Sequence, residues 1–204
     1  MKTKEYAEYH RATIIAITRA LVSALEQKHK YTQGHSLDVS EFSRRLAQTL
    51  GLDKVVVEWI RIGGLLHDVG KICIERNTLD NANPTLTVTQ RLEVRDHPYI
   101  GSQIILNCGT PFPGEVIQAV LHHHERFSGG GYPLGLVGEA IPLPGRIVAI
   151  ADTFNALTTH RSYQTKRSIG QAIAVLRTAS GEHLDPRLVE ISVEKVIPDL
   201  PTKA

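Results

Sequence analysis

Leu65-Leu66-His67-Asp68-Val69-Gly70-Lys71 places two adjacent metal-capable side chains at the end of an apolar helical pattern, then a glycine, then a cation. Adjacent residues on a helix point about 100° apart, so His67 and Asp68 cannot both grip one ion from mid-helix. At a helix terminus followed by Gly70 the backbone can turn, and neighbouring side chains can converge. A carboxylate has two oxygens and can join two cations, which makes Asp68 a natural bridge. Lys71 adds a positive charge suited to a phosphate. An isolated His-Asp pair arises readily by chance, so its meaning depends on the histidines elsewhere in the chain.

Outward from this stretch the sequence reads as helix after helix. Asp53 is a good N-cap for the helix that runs through Val56, Ile60 and Leu65 to His67, and Leu37, Phe42, Leu46 and Leu50 mark an earlier helix that Gly51 stops. Before that, Ile14, Ile17, Leu21, Val22 and Leu25 recur at helical spacing, predicting one long amphipathic helix over about Lys4 to Lys28 that packs on the domain or pairs with a partner helix. Downstream, Asn77 to Pro84 is turn-rich and predicts a loop. Thr87 and Gln90 are spaced as a capping box for a helix that Pro98 interrupts just after His97, and Pro113 fits the first turn of a helix leading into His122-His123-His124-Glu125. Ser128 to Pro133 is a glycine-rich loop. Pro144 opens a strongly apolar helix over Ile147 to Leu157, Ser168 with Gln171 caps another that Gly181 ends, and Asp185 with Pro186 starts a last one. No stretch shows strand alternation, so the expected fold is all-α.

The 204 residues suit a single domain, with 42% hydrophobic and 22% charged residues. A formal net charge of +2, spread along the chain, points to neither a nucleic-acid nor a membrane surface. Cys73 and Cys108 make no disulfide framework, and the apolar run Ile14 to Ile17 is too short to span a bilayer, which together predict a cytoplasmic protein.

Ten histidines are many for this length, and their placing matters more than their number. His35, His67, His97, His123 and His124 all fall at predicted helix starts or ends. Taken singly, each reads as a histidine hydrogen-bonded at a helix terminus, and His10, His29, His160 and His183 are left at that reading. Asp152 changes the picture, because a lone carboxylate among Ile147, Val148, Ile150 and Ala151 is costly to bury and a cation would relieve it. Imidazole and carboxylate donors together suit Mn, Fe or Zn better than Mg or Ca, and the shortage of thiolates argues against a structural zinc.

His67-Asp68-Val69-Gly70-Lys71, His97-Pro98, His123-His124-Glu125 and Gly129-Gly130-Gly131-Tyr132-Pro133, in this order and spacing, resemble the HD-GYP family of the HD phosphohydrolase superfamily. The likeness runs from about Tyr31 to Leu188. It implies an HD-domain helical bundle over residues 31–204 with a metal site at its centre, preceded by the N-terminal helix in residues 1–30. The implied activity is metal-dependent hydrolysis of the second messenger cyclic di-GMP to linear pGpG or GMP. The metal ligands implied are His35, His67, Asp68, His97, His123, His124 and Asp152. Lys71 and Arg161 fall where the family contacts phosphate, and Tyr132 falls in the loop beside the substrate. That loop is also linked in the family to diguanylate cyclase (GGDEF) domains, and a homodimer through the N-terminal helix is the other partner expected.

The chemistry agrees with that set on physical grounds. A phosphodiester is shielded by its own negative charge, and a pair of cations would neutralise the phosphoryl oxygens and ready a water for attack. Lys71 and Arg161 would hold the charged oxygens as they gain hydrogen bonds in the transition state. Two positions depart from the family: Ser128 and Asn155 stand where it usually has aspartates, and an aspartate at 155 could orient Lys71 by an ion pair. The alternatives are therefore a metal-loaded cyclic di-GMP sensor without turnover, or an HD-type hydrolase of another nucleotide. Tyr31 stands where members with a third ion have a glutamate, so two ions are expected, unless Glu125 or a water fills the place of that ligand.

Overall fold

Helical spacing of apolar residues and well-made caps account for the elements of this computed structural model, which describes residues 2–28, 34–79, 86–159 and 167–200. Among the described residues the order is α1 (Lys2–Lys28), α2 (His35–Thr49), α3 (Lys54–Leu66), a 3-10 turn (Val69–Cys73), α4 (Arg76–Leu79), α5 (Val88–Arg95), α6 (His97–Leu106), α7 (Gly114–His122), α8 (Leu143–Thr158), α9 (Ile169–Ala179) and α10 (Pro186–Ile191). Shorter turns lie at Gly138–Ala140, Ser192–Val196 and Ile197–Asp199. The described residues contain an isolated bridge between Ser180 and Leu184 and no strand, so the all-α expectation holds. No helix among them is long and apolar enough to cross a membrane.

The caps are those read from the sequence. The Asp53 carboxylate accepts from the Val55 amide at 2.8 Å, Thr87 with Gln90 and Ser168 with Gln171 form reciprocal capping boxes, and Asp185 accepts from the amides of Arg187 and Leu188. Each such cap stabilises a helix start by about 1 kcal/mol. Pro98 lies in the first turn of α6, so it opens a new helix where the sequence suggested an interruption.

Two apolar clusters meet at α3. Ile60 belongs to one buried cluster with Phe42, Leu46, Ile147, Ile150, Leu176 and Val189, while Ile62 and Leu66 belong to another with Ile14, Val69, Ile105, Val116 and Val120. Burial of this kind contributes about 25 cal/mol per Å² of apolar surface. A Cβ on Gly63 would lie 2.4 Å from the Ala119 side chain of α7, and one on Gly64 would lie 2.9 Å from the Ser40 backbone of α2. Only glycine lets both neighbours approach this closely, and the C-terminal end of α3 is thereby enclosed by the elements that carry the other histidines. α1 buries Ile14 and Leu25 against the body, Lys28 donates to the Ile72 carbonyl, and Tyr6 and Tyr9 remain exposed.

Three local expectations change. Leu37 is exposed, because the buried face of α2 runs through Val39, Phe42 and Leu46 and Leu37 lies two residues out of phase with it. Within the expected loop Asn77–Pro84, α4 forms one helical turn; Glu93 of α5 stabilises it by accepting from the Glu75 amide at 2.8 Å and the Thr78 hydroxyl at 2.9 Å, and residues 80–85 lie outside the described ones. After α10 the chain continues through the turns at Ser192–Val196 and Ile197–Asp199, burying Val196 and Ile197.

Candidate metal centre

Four helix termini and one helix middle supply the cluster. His35 opens α2, His67 caps the end of α3 and Asp68 follows it; His97 opens α6, His123 caps the end of α7 and His124 follows; Asp152 lies within α8. A Cβ on Gly70 would sit 2.0 Å from the His97 carbonyl oxygen, so the glycine after Asp68 lets the 3-10 turn press directly on the start of α6. That contact brings Asp68 to His97. Asp68 is 3% exposed, and His67, His97 and His123 are buried beside it.

The Asp68 carboxylate stands between two groups of nitrogens. Its Oδ1 lies 3.2 Å from His97 Nε2. Its Oδ2 lies 3.5 Å from His67 Nε2 and 3.8 Å from His35 Nε2. Asp152 Oδ1 closes the second group at 3.3 Å from His35 Nε2 and 4.0 Å from His67 Nε2. Donor atoms of His35, His67 and Asp152 lie within 4.8 Å of one another, as do those of His97, His123 and His124 and those of His67, Asp68 and His123. All seven sequence-expected ligands are therefore brought together.

The outer nitrogens fix how the rings face. His67 Nδ1 lies 2.8 Å from the Gly64 carbonyl, His97 Nδ1 2.6 Å from the Val94 carbonyl and His123 Nδ1 2.8 Å from the Val120 carbonyl, each three residues back along the chain. A carbonyl only accepts, so each Nδ1 carries a proton, and in its neutral form each ring turns a bare Nε2 lone pair inward. Two of these lone pairs, on His97 and His123, face each other at 3.2 Å, and the buried His67 Nε2 has no hydrogen-bond partner. Facing lone pairs and an orphaned acceptor beside two carboxylates are satisfied by cations, and the mix of imidazole and carboxylate suits Mn, Fe or Zn.

Asn155 sets the fourth ring, and here the sequence expectation is corrected. Its Nδ2 donates to Asp38 Oδ2 at 3.0 Å, which turns its Oδ1 toward His35 Nδ1 at 2.7 Å. Asn155 thus orients His35, whereas Lys71 is held by Asp68, with Nζ 2.7 Å from Oδ2. An amide accepts this proton as a carbonyl does, so asparagine is fit for the position. We expect Asn155→Leu to weaken metal affinity by about 10- to 100-fold, the usual cost of losing such an outer partner, with the fold retained; competition against a chelating dye measures it.

Burial lowers the pKa of His67, and burial with the neighbouring imidazoles lowers that of His123 well below the ordinary value. Burial and then His97 push His124 down to about 3. For His35 burial is opposed and outweighed by the hydrogen bond and charge of Asp152, which raise it. Burial would raise Asp68 and Asp152, but Lys71 and the histidines around Asp68, and His35 and His67 around Asp152, hold both well below the carboxylate range. A depressed histidine stays neutral in the fold while the unfolded chain takes up a proton below its ordinary 6.5, so stability falls as pH drops through that value. His35 acts in the opposite sense, being raised, and stands against three depressed rings. The chelator-treated protein is therefore expected to melt at a lower temperature at about pH 5.5 than at about pH 7; an unchanged or higher melting temperature would contradict this.

Glu125 does not take the place of a further ligand. Its buried carboxylate accepts from the Leu134 amide at 2.7 Å and the Leu136 amide at 3.0 Å, pinning the glycine-rich loop from within. Ser128 ties the same loop to the Glu182 carbonyl at 2.9 Å. Between these anchors the Tyr132 ring stacks on His124, with centroids 4.8 Å apart, and the Arg95 guanidinium lies 4.8 Å over the Tyr132 ring. Burial and then Asp68 push the Tyr132 phenol up to about 12, so it remains a neutral hydroxyl. Arg95 was not singled out from the sequence, since nothing in a solvated arginine at a helix end marks it. Arg161 and Tyr31 lie outside the described residues.

Fold and cluster together define an all-α protein built around a buried histidine and aspartate centre. The chain belongs to the HD domain family, whose model matches residues 12–188. It is 36% identical over 186 residues to the cyclic di-GMP phosphodiesterase response regulator RpfG of Xanthomonas campestris, covering 91% of this chain and 48% of that protein. It is 30% identical over 200 residues to a cyclic di-GMP phosphodiesterase of Thermotoga maritima, covering 97% of this chain and 54% of the relative. The chain thus spans about half the length of these curated relatives. Among solved structures, a cyclic GMP-AMP specific phosphodiesterase of Vibrio cholerae superposes with a TM-score of 0.67 at 21% identity, over 90% of this chain and 48% of that one, a likeness of fold.

Proposed function

We propose that the chain hydrolyses cyclic di-GMP to linear pGpG or GMP at a centre of two divalent cations, Fe or Mn in first place and Zn in second. His35, His67 and Asp152 would hold one cation and His97, His123 and His124 the other, with Asp68 shared. The observation that carries this reading is the position of Asp68, whose two oxygens face the two groups of nitrogens from 3.2 Å and 3.5 Å. When bound, the ions supply charge neutralisation at the phosphoryl oxygens and a water ready to attack phosphorus. Lys71, 2.7 Å from Asp68 and part-exposed toward the site, donates to a phosphate oxygen as charge builds there. Arg161 is assigned a second phosphate contact, and Tyr132 walls the substrate beside His124. The substrates for which the relatives are named support the cyclic dinucleotide class, and they differ in the purine bases.

The test is to incubate protein loaded with Mn or Fe, under anaerobic conditions, with cyclic di-GMP and to separate the products by chromatography. Linear product is expected. Binding without product would favour the sensor reading that Ser128 and Asn155 suggest; neither binding nor product would favour another nucleotide. For partners, the surface of the glycine-rich loop is assigned to a diguanylate cyclase domain and the exposed Tyr6 and Tyr9 face of α1 to a second copy, to be tested by co-purification and by sedimentation.

A further inference from the structure

Arg95 lies beside the cluster, and phosphate chemistry leaves it without a task. It ends α5, two residues before His97, and is exposed; among the described residues no carboxylate pairs with it. Its guanidinium lies over Tyr132, which stacks in turn on His124. One ring, that of Tyr132, thus stands between it and the metal-capable His124. A phosphodiester held on the cluster and Lys71 would have its phosphorus at the near end of this stack and a nucleoside base toward the far end. A guanidinium packed by its face on an aromatic ring keeps its N–H edge free and fixed in direction.

We propose that Arg95 selects the purine, its N–H edge donating to the O6 and N7 acceptors of a guanine while its face rests on Tyr132. Guanine offers two adjacent acceptors that match the guanidinium fork, whereas adenine presents an N6 donor at the first of these positions and repels it. The choice of guanine over adenine at this end of the ligand then follows from one side chain. Tyr132 serves as the platform: Glu125 holds the Leu134 and Leu136 amides on one side of it in the chain, and the Tyr132 amide donates to the His124 carbonyl at 3.2 Å. This inference rests on the cyclic dinucleotide reading above.

Its test uses the metal-loaded full chain, wild type, Arg95→Ala and Arg95→Lys, with three probes: cyclic di-GMP, cyclic di-AMP and the small diester bis(p-nitrophenyl) phosphate, which has no purine. For Arg95→Ala, KM for cyclic di-GMP, or its Kd by calorimetry, is expected to rise about 10- to 100-fold, with kcat changed by less than about threefold. Arg95→Lys keeps the charge and loses the fork, and is expected to behave like the alanine variant. The affinity for cyclic di-AMP should be the same in all three proteins, and the diester rate should track metal content alone. Rescue by lysine, or an equal loss for both dinucleotides, would show a phosphate anchor and overturn the proposal. A fall in the diester rate at full metal content would show that Arg95 acts on the cluster, and no change with any probe would also overturn it. Wild-type protein that neither binds nor cleaves cyclic di-GMP would instead bring down the reading on which the proposal rests.

Discussion

Asp68→Asn is expected to abolish the centre: metal content should fall from two ions to one or none, and hydrolysis by about a thousandfold or more. The side chain is almost fully buried, and each of its oxygens serves a different set of imidazoles. An amide keeps the shape but offers one neutral oxygen, and its NH2 would point a donor at either His97 or at His67 and Lys71. The substitution also removes the partner of Lys71 Nζ, leaving an ammonium beside whatever cation remains. Elemental analysis of the purified variant with its rate on cyclic di-GMP measures both effects. Full occupancy with lost rate would make Asp68 a catalytic group alone and end its assignment as the bridge.

Lys71→Ala is expected to do the reverse, keeping both ions and losing rate by about 100- to 1000-fold, the scale on which single charge-stabilising donors act. An ammonium has no lone pair and cannot be a ligand. In the fold it holds Asp68 Oδ2 by an ion pair at 2.7 Å, and it helps to keep that carboxyl ionised. Cations near Asp68 would do the same and more strongly, so the loss of Lys71 leaves the carboxylate available to them. The loss falls on the transition state, where the phosphoryl oxygens gain charge and no cationic donor remains at this corner. Metal loss in this variant would show that Lys71 serves to hold Asp68 in place.

What the sequence made legible follows from what is local. The caps at Asp53, Thr87, Ser168 and Asp185 are made by contacts two or three residues along the chain, and all four form as read. The cluster was legible for a related reason: histidines at helix ends can turn inward, and three of them use a carbonyl three residues back to do so. The role of Asn155 was misread because its partners, His35 and Asp38, are more than a hundred positions away. Glu125 was open to the same error, since a carboxylate after two histidines looks like a ligand until the loop amides it accepts from are in view. Arg95 carried no signal at all, because its stacking over Tyr132 depends on how the loop meets the end of α5, 37 positions back in the chain.

The central claim is that two cations share Asp68 within this cluster, and anomalous diffraction from crystals of protein purified without chelator, read with elemental analysis of the same sample, tests it most directly. The account predicts two anomalous peaks, one bounded by His35, His67 and Asp152 and the other by His97, His123 and His124, with Asp68 between them and no third ion near Tyr31. A single peak, or two peaks with Asp68 on one side of both, would contradict it.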